Sequence, residues 1–288
     1  MTLILKNVFW IGEKFLKMSG IERQRNETFL IISKILKKNY LEVLINQEIS
    51  ISEKKKKQIL KKIFQRLNGK PISRIFGLKE FYSREFFINS NSLDPRPETE
   101  TLIDLIKKIE LKNSNKRLRI LDLGTGTGCI IISLAMELGK FKEVSGVGVD
   151  ISSGAIDIAN RNLMKFNLED KIEIYRSNWF SEVNGKFDII VSNPPYVDSN
   201  EIEKLDNGVK NFDPYVSLNG GKFGLECFKK ISSIAGNFLK KNGYICVELG
   251  CGQKKDVQSI FTKNGFHKII ESKDFLNIDR VLVFKNKI

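Results

Sequence analysis

From residue 98 to residue 285, apolar runs typical of strands alternate with amphipathic segments typical of helices. The predicted strands cover residues 118–123, 144–150, 172–176, 187–191, 243–249, 266–270 and 280–285. The predicted helices cover residues 98–110, 128–139, 152–166, 223–240 and 253–264. Parallel neighbours in a sheet need a crossover connection, which a helix normally provides. The alternation therefore predicts an α/β fold with a mostly parallel seven-stranded sheet and helices on both of its faces.

The first 95 residues lack this alternation. Leu, Ile and Phe recur there at spacings of three and four, which predicts a small bundle of amphipathic helices. These helices are predicted at residues 3–18, 23–38, 40–46 and 53–68. Residues 50–53 (Ser-Ile-Ser-Glu) fit a capping box in front of the last helix, and Gly69 and Pro71 end it. Strand-type runs between residues 74 and 93, with a turn near Ser83, predict a β-hairpin.

These patterns divide the chain into three segments. We expect an N-terminal helical domain at residues 1–72, a β-hairpin linker at residues 73–95 and the α/β domain at residues 96–288. A chain of 288 residues is long for one domain, so two folded units are expected.

Composition restricts the cellular setting and the chemistry. No stretch approaches the 18 or so uninterrupted apolar residues of a membrane span, and the N-terminus lacks a basic leader and a cleavage site. We therefore expect a cytoplasmic protein without membrane partners. The four cysteines include no C-x-x-C pair, which argues against a zinc site and a disulfide framework. The single histidine, His267, is expected to be structural, and no metal is expected.

The net charge of +14 raises the question of nucleic-acid binding. Residues 1–95 carry 19 basic and 9 acidic side chains, whereas residues 96–288 carry 29 and 25. Lysines outnumber arginines by 37 to 11, although base and phosphate recognition favours the planar arginine fork. A coding bias towards lysine explains the basicity at least as well, so nucleic acid is not the expected partner.

A glycine-rich turn joins the first strand of the sheet to the next helix. The turn, Gly124-Thr-Gly-Thr-Gly128, places free backbone N–H groups at a helix N-terminus, where they can face a ligand. A dinucleotide fingerprint would need glycine at position 129, which is Cys129. The spacing instead resembles the loop of class I methyltransferases that lies under the methionine part of S-adenosylmethionine.

Asp150 ends the second strand, 22 residues beyond Gly128. A carboxylate at this place in a nucleoside-binding sheet can accept hydrogen bonds from both ribose hydroxyls. A glycine-rich turn alone is a weak signal. Together with its strand, its helix and the acid at this spacing, it indicates a cofactor site.

The fourth strand of the sheet runs into Asn193-Pro-Pro-Tyr196. Ligands bind beyond the carboxyl ends of such strands, so this loop should border the same crevice as Gly126 and Asp150. If the group bound at this loop is an amide, its nitrogen is a poor nucleophile, because its lone pair is delocalised into the carbonyl. The Asn193 side-chain oxygen and the Pro194 carbonyl can each accept one N–H, which would hold such a nitrogen with its lone pair towards a methyl donor.

Taken together, these motifs resemble the PrmC/HemK family of protein glutamine N5-methyltransferases, and the resemblance covers nearly the whole chain. Asn-Pro-Pro-Tyr alone is not specific, since nucleic-acid base methyltransferases share it. Three further stretches narrow the choice. They are residues 71–81, where Pro-Ile-Ser-Arg-Ile-Phe-Gly precedes Glu80-Phe81, residues 94–100 (Asp-Pro-Arg-Pro-Glu-Thr-Glu), and residues 211–225, with Asn-Phe-Asp-Pro and Leu-Asn-Gly-Gly.

The resemblance implies a Rossmann-like class I methyltransferase domain and a substrate-binding role for residues 1–72. The implied reaction moves a methyl group from S-adenosyl-L-methionine, which becomes S-adenosyl-L-homocysteine, to the glutamine of the Gly-Gly-Gln motif in peptide chain release factors. The implied cofactor residues are Gly124, Thr125, Gly126, Thr127, Gly128, Asp150, Trp179 and Asn193, with Trp179 against the adenine. The implied substrate residues are Asn193, Pro194, Pro195 and Tyr196, of which Asn193, Pro194 and Tyr196 are the implied catalytic residues.

Two positions depart from the family pattern. Asn178 stands where the family usually has an acid, and its carbonyl can still accept a hydrogen bond from adenine. Phe223 replaces the usual Asp of a Gly-Gly-x-x-Gly loop, which puts the order of that loop in question. The alternatives left open are a nucleic-acid base methyltransferase acting on adenine N6 or guanine N2, a ribosomal-protein glutamine methyltransferase, and a non-catalytic binding module.

Overall fold

The computed structural model describes residues 3–46 and 48–286, and the chain forms two compact units that divide between Gly77 and Leu78. The first unit contains, in chain order, β1 (Leu3–Ile4), α1 (Leu5–Met18), α2 (Gln24–Leu36), α3 (Tyr40–Ile45), β2 (Ser50–Ile51), α4 (Glu53–Leu67) and α5 (Ile72–Phe76). Its core is made of apolar residues that α1, α2 and α4 present at helical spacing. The predicted helical bundle is therefore confirmed.

The helices α1, α2 and α4 approach one another closely at Gly12. A Cβ atom added at this glycine would lie 2.6 Å from Cδ1 of Ile63 and 2.9 Å from Cγ2 of Thr28. These distances are too short for carbon atoms, so the absence of a side chain at position 12 lets the three helices pack.

The start of the first unit differs from the prediction. Residues 3 and 4 form a strand that pairs antiparallel with β2, so α1 begins at Leu5. Because Ser50 lies opposite Ile4 in this pair, it cannot cap α4, and the predicted capping box is wrong. The cap is Ser52, whose hydroxyl accepts the Lys55 N–H at 3.3 Å.

The second unit contains, in chain order, β3 (Leu78–Phe81), β4 (Arg84–Phe87), α6 (Glu100–Glu110), β5 (Arg117–Leu123), α7 (Cys129–Leu138), β6 (Glu143–Asp150), α8 (Ser153–Lys165), β7 (Ile172–Arg176), β8 (Phe187–Ser192), α9 (Asn207–Lys210), α10 (Tyr215–Leu218), α11 (Glu226–Ile234), β9 (Leu239–Glu248), α12 (Lys254–Lys263), β10 (Phe266–Lys273) and β11 (Asp279–Asn286). Short 3₁₀ turns lie at Pro97–Thr99, Ile202–Lys204, Lys222–Gly224 and Ala235–Phe238.

Seven of these strands form one sheet in the order β10-β11-β9-β8-β5-β6-β7. The pairs among β5, β6, β7, β8 and β9 are parallel, and β11 pairs antiparallel with both β9 and β10. Successive strand residues point to opposite faces, where α6, α7 and α8 cover one core and α11 and α12 cover the other. The predicted mostly parallel seven-stranded sheet is confirmed.

The helix predicted at residues 223–240 is shorter than expected. The regular helix α11 occupies only residues 226–234, and β9 already begins at Leu239. Phe223 and Gly224 have positive φ angles of 59° and 69°, a backbone conformation that a right-handed helix does not permit. The helix therefore starts only after these two residues.

The β-hairpin is present but shorter than predicted, because residues 72–76 are helical. Pro71 stands at the start of that helix, and Gly77 ends it with a φ angle of 68°. The hairpin packs within the second unit: Phe81 and Phe86 are buried in the core on the α7 face. The division at Gly77 is a structural boundary, and the assignment of roles to residues 1–72, 73–95 and 96–288 stays a prediction.

A nearly buried carboxylate anchors the hairpin. Glu137 on α7 has a side chain that is 8% exposed, and it accepts hydrogen bonds from Arg84 at 2.5 Å, Lys107 at 2.9 Å and Lys140 at 2.9 Å. Burial alone would raise the pKa of Glu137, but these three donors outweigh it and lower the pKa to about 2. The ionised carboxylate thus joins β4, α6 and α7.

We expect Glu137→Gln to lower the free energy of unfolding by about 2 kcal/mol at pH 7, since hydrogen bonds to charged groups are worth about 1.5–3 kcal/mol. The lowered pKa stabilises the wild type above the unfolded pKa near 4.5, and this gain is lost as the pH falls towards 2. Urea unfolding at pH 7 and pH 3 measures both effects. The control is Glu143→Gln, which removes an exposed pair with Arg117 and should change stability little. A difference of equal size at both pH values would contradict the prediction.

Candidate functional site

A cavity of about 360 Å³ lies in the second unit, beyond the carboxyl ends of the parallel strands β5, β6 and β8. Cavities of this size are typical of small-molecule sites. Eight of the residues singled out from the sequence line it: Gly124, Thr125, Gly126, Thr127, Asp150, Trp179, Asn193 and Pro195. Three others do not. Gly128 packs against α8, Pro194 is buried, and Tyr196 points towards Glu248.

The glycine-rich turn is tied to the end of β6. The N–H groups of Gly124 and Thr125 both donate to the Val149 carbonyl at 2.9 Å, and the N–H of Gly126 donates to the Asp150 carboxylate at 2.9 Å. Gly124, Gly126 and Gly128 have positive φ angles of 72°, 55° and 77°, which L side chains rarely adopt. A Cβ atom on Gly124 would meet no atom within 4 Å, so the turn borders open space where a ligand can approach its backbone.

Asp150 is held by backbone groups on both of its oxygens. Its Oδ2 accepts the Gly126 N–H and its Oδ1 accepts the Ser152 N–H, each at 2.9 Å. Burial raises the pKa of Asp150 above its ordinary value, and these backbone hydrogen bonds offset only part of the rise. Each oxygen keeps a lone pair for another donor, and the residue lines the cavity. The carboxylate is thus positioned to accept two hydroxyl groups.

A second carboxyl, that of Asp122, lies beneath the same turn. It is fully buried, and its Oδ2 accepts the Thr125 hydroxyl at 2.7 Å. Burial raises the pKa of Asp122 to about 7, although the Thr125 hydroxyl and the Ile131 N–H act against this rise. The side chain does not line the cavity, so its contribution is to the shape of the turn.

The Asn193-Pro-Pro-Tyr196 loop is fixed at both of its ends. Before it, the Ser192 hydroxyl donates to the Leu123 carbonyl at 2.7 Å, which links β8 to β5. Asn193 donates through Nδ2 to the Thr99 hydroxyl oxygen at 3.0 Å. At the other end, the Tyr196 hydroxyl lies 3.5 Å from Oε1 of Glu248, and the Tyr196 carbonyl accepts Nε2 of Gln253 at 2.9 Å.

The stretches at residues 94–100 and 211–225 meet across the cavity wall. The Asp213 carboxylate accepts the Asp94 N–H at 3.2 Å and forms an ion pair with Arg96. Arg96 and Thr99 from the first stretch, and Val216 from the second, line the cavity. The two stretches that narrowed the family resemblance therefore build one wall of the site.

Trp179 and its neighbour Asn178 both line the cavity near Asp150. Trp179 has a positive φ angle of 55°, and its carbonyl accepts the Ser177 hydroxyl at 2.9 Å. A flat ring in this half-buried position offers an apolar face to a ligand.

Phe223 occupies a left-handed backbone conformation that glycine, aspartate and asparagine adopt more readily. Its N–H donates to the Asp198 carboxylate at 2.8 Å, and its carbonyl accepts Nε2 of Gln253 at 3.2 Å. The loop therefore keeps an ordered backbone despite the substitution, and the exposed Phe223 ring lies beside Lys222.

Sequence reasoning gave no chemical role to Arg96, Thr99 or Glu248. Glu248 ends the apolar strand β9, so the rule that selected Asp150 and Asn193 at strand ends also points to it. His267 is exposed on β10 and does not line the cavity. Within residues 3–46 and 48–286, no group of three or more His, Cys, Asp or Glu side chains is placed to hold a metal ion. None of the helices in this described part is long and apolar enough to cross a membrane.

Comparisons with known proteins agree with both units. A family model described as methyltransferase small domain matches residues 98–207, and one described as PrmC N-terminal domain matches residues 9–77. A release factor glutamine methyltransferase of Agrobacterium fabrum is 37% identical over 276 residues, which cover 95% of this chain and 94% of the relative. One of Buchnera aphidicola is 37% identical over 280 residues, covering 97% and 98%.

A solved structure resembles this one at the level of fold. It is the hMettl16 catalytic domain in complex with MAT2A 3′UTR hairpin 6, with a TM-score of 0.56, 16% identity and coverage of 82% of this chain and 83% of that one. The predicted Rossmann-like fold of class I methyltransferases is confirmed.

We expect Asp122→Asn to stabilise the protein at pH 8. The raised pKa means that the folded state holds a proton that the unfolded state releases from about pH 4, so the wild type loses stability as the pH rises from about 4 to 7. The variant has no charge to bury, and its amide oxygen can still accept the Thr125 hydroxyl. The gain at pH 8 should reach a few kcal/mol at most, because one pKa unit corresponds to about 1.4 kcal/mol.

Urea unfolding of both proteins at pH 4.5 and pH 8 is the measurement. Asp170→Asn, on the exposed surface, serves as the control. If Asp122→Asn were less stable than the wild type by the same amount at both pH values, the interpretation of Asp122 as a buried titrating group would be wrong.

Proposed function

The chain belongs to the family of release factor glutamine methyltransferases, and we propose that it methylates the side-chain amide nitrogen (N5) of the glutamine in the Gly-Gly-Gln motif of peptide chain release factors, with S-adenosylmethionine as donor. One observation carries the proposal: the Asn193-Pro-Pro-Tyr196 loop ends β8 at the same cavity as the glycine-rich turn and Asp150. A cofactor cradle and an amide-binding loop thus face one space. Because release factors act in translation, the proposed place of action is the cytoplasm.

The shape and polarity of the cavity fit S-adenosylmethionine. The open space beside Gly124 accepts the methionine part against the backbone of the turn, and the two remaining lone pairs of Asp150 suit the ribose hydroxyls. Trp179 offers its ring to the adenine, and the Asn178 carbonyl is available to the adenine amino group. These assignments use residues that all line one cavity, and none of them requires a metal.

When bound, S-adenosylmethionine supplies an electrophilic methyl group on a sulfonium. The residues of the chain then have to position the acceptor amide. In the proposed reaction, Asn193 Oδ1 and the Pro194 carbonyl each accept one N–H of the glutamine, which fixes the nitrogen and turns its lone pair towards the methyl group. Asn193 lines the cavity, whereas Pro194 does not, so the role of the Pro194 carbonyl stays a prediction. Positioning of this kind can lower a barrier by several kcal/mol, up to about 7–11 in the best intramolecular cases. A general base is not needed before transfer, because the nitrogen becomes acidic only after it has gained the methyl group, and it then loses one proton to water.

The half-buried Tyr196 supports the loop from its far side, where its hydroxyl faces Glu248. Its predicted contact with the planar amide of the substrate stays a prediction, as does the contact of Pro195, which lines the cavity.

We further propose that the first unit binds the release factor away from the Gly-Gly-Gln loop. Its surface exposes large apolar side chains, among them Trp10 at 60%, Met18 at 74% and Ile45 at 79%. Such residues are the usual anchors of protein interfaces. A second attachment raises the effective concentration of the loop at the catalytic site, so a short Gly-Gly-Gln peptide should be a much poorer substrate than the whole factor.

We expect Asp150→Ala to weaken binding of S-adenosylmethionine at least tenfold, since each charge-assisted hydrogen bond to a ribose hydroxyl is worth about 1.5–3 kcal/mol. Isothermal titration calorimetry of the wild type and the variant measures the affinity, and thermal melting reports whether the fold is retained. Asp157→Ala, an exposed aspartate on α8, is the matched control. Wild-type affinity in Asp150→Ala would refute the ribose assignment.

The function itself is tested by methyl incorporation from labelled S-adenosylmethionine. We expect label in purified release factor, none in its Gly-Gly-Gln variant with Gln→Ala, and none in DNA or ribosomal RNA. Asn193→Ala should lower turnover on the order of a hundredfold, as loss of one preorganised hydrogen-bonding group does in other enzymes. The control is Asn200→Ala, on the exposed segment after the loop. Label in nucleic acid, in a ribosomal protein, or in the Gln→Ala factor would each overturn the proposed function.

A further inference from the structure

The side-chain amide of Asn193 can turn either its oxygen or its NH₂ group towards the cavity, and the proposed reaction requires the oxygen. Asn193 must turn Oδ1 towards the substrate amide, because the substrate offers N–H groups that need an acceptor. With the amide rotated by half a turn, two sets of N–H groups would face each other. Something in the protein therefore has to fix the orientation of the Asn193 side chain.

The group next to Asn193 is the buried hydroxyl of Thr99, whose oxygen lies 3.0 Å from Nδ2. A hydroxyl has a single proton to donate and can also accept, so the direction of this hydrogen bond depends on where that proton goes. The hydroxyl also lies close enough to the buried carboxyl of Glu248 to lower its pKa, and Oε2 of Glu248 has no hydrogen-bond partner within the described residues. Above its pKa of about 7, this carboxyl is ionised and only accepts. Oε2 of Glu248 is then an acceptor for the Thr99 proton, which leaves the Thr99 oxygen to accept from Asn193 Nδ2.

Glu248 is poorly suited to be a purely structural residue. It is fully buried at the end of β9, and burial raises its pKa to about 7 against the opposing effects of Thr99, Arg280 and Tyr196. The nearby guanidinium of Arg280 hydrogen-bonds to the Asp274 carboxylate at 2.8 Å and to the Leu249 carbonyl at 3.1 Å. The hydroxyls beside Glu248 are instead that of Thr99, which lines the cavity, and that of Tyr196, which lies 3.5 Å from Oε1 and ends the Asn193–Tyr196 loop.

We propose that Glu248 and Thr99 are positioning residues that fix the Asn193 side-chain amide with its oxygen towards the substrate. The inference rests on the proposed function for the identity of the acceptor. Neither residue touches the reacting atoms: Glu248 orients the hydroxyl of Thr99, and Thr99 orients the amide of Asn193.

The variants Thr99→Val, Thr99→Ser and Glu248→Gln separate this role from packing. Valine matches threonine in shape but has no hydroxyl, serine keeps the hydroxyl, and glutamine can donate to Thr99 and so reverse the direction of the relay. At pH 8, where Glu248 is ionised, we expect Thr99→Val and Glu248→Gln each to lower kcat about tenfold or more, with KM for the release factor changed less than threefold. Thr99→Ser should retain at least half of the wild-type kcat. Calorimetry should give wild-type affinity for S-adenosylmethionine in all three.

The decisive experiment is a double-mutant cycle in the full chain. In the Asn193→Ala background, Thr99→Val should have no further effect on kcat, because there is no amide left to orient. A purely structural role predicts the same fold-loss in both backgrounds. The relay is refuted if Thr99→Val keeps wild-type kcat, if Thr99→Ser loses as much as Thr99→Val, or if the losses of Thr99→Val and Asn193→Ala multiply.

The proposed function is tested separately, by measuring which acceptor the wild-type protein labels. If the wild type labels nucleic acid or another protein, the release factor assignment is wrong. The cycle is then run with the acceptor that takes the label, and the coupling between Thr99 and Asn193 still decides whether the relay exists.

Discussion

The site depends on the hydrogen bonds that tie the end of β5 to the end of β6. Two consecutive N–H groups, of Gly124 and Thr125, share the Val149 carbonyl, and the next residue, Gly126, donates to the Asp150 carboxylate. The Asp150 side chain therefore both shapes the turn and presents its remaining lone pairs to the cavity. The space for the cofactor and the group proposed to recognise its ribose cannot be built independently of each other.

The site also depends on a wall that lies opposite the strand ends. Asp213 joins residues 94–96 to the stretch after the Asn193–Tyr196 loop, although more than a hundred residues separate the two along the chain. The same wall carries Thr99, which contacts Asn193. In the proposed reaction, the cavity thus has a cofactor side, made by the glycine-rich turn and Asp150, and an acceptor side, made by the loop and this wall.

Much of this could be predicted from the sequence because the signals are local. The strand–turn–helix at Gly124–Gly128, the acid at Asp150 and the loop at Asn193 each follow an apolar strand, and parallel strands bring their carboxyl ends together. Features set by distant partners were missed. Ser50 failed as a helix cap because it pairs with Ile4 across the unit, and the helix expected from residue 223 was interrupted by a backbone that Asp198 and Gln253 hold from elsewhere in the chain. Glu248 ends β9 and so follows the same strand-end rule, but its place beside the hydroxyls of Thr99 and Tyr196 became visible only in the structure.

Gln253 has a consequence for how the protein acquires its working shape. Its single amide accepts the Gly250 N–H and donates to the carbonyls of Tyr196 and Phe223. The backbone of the Asn193–Tyr196 loop is therefore completed by a residue that follows β9, not by its own neighbours. The loop can therefore keep this backbone only where the segment between β9 and α12 is docked against it. The shape of the loop thus depends on a residue that lies 57 positions further along the chain.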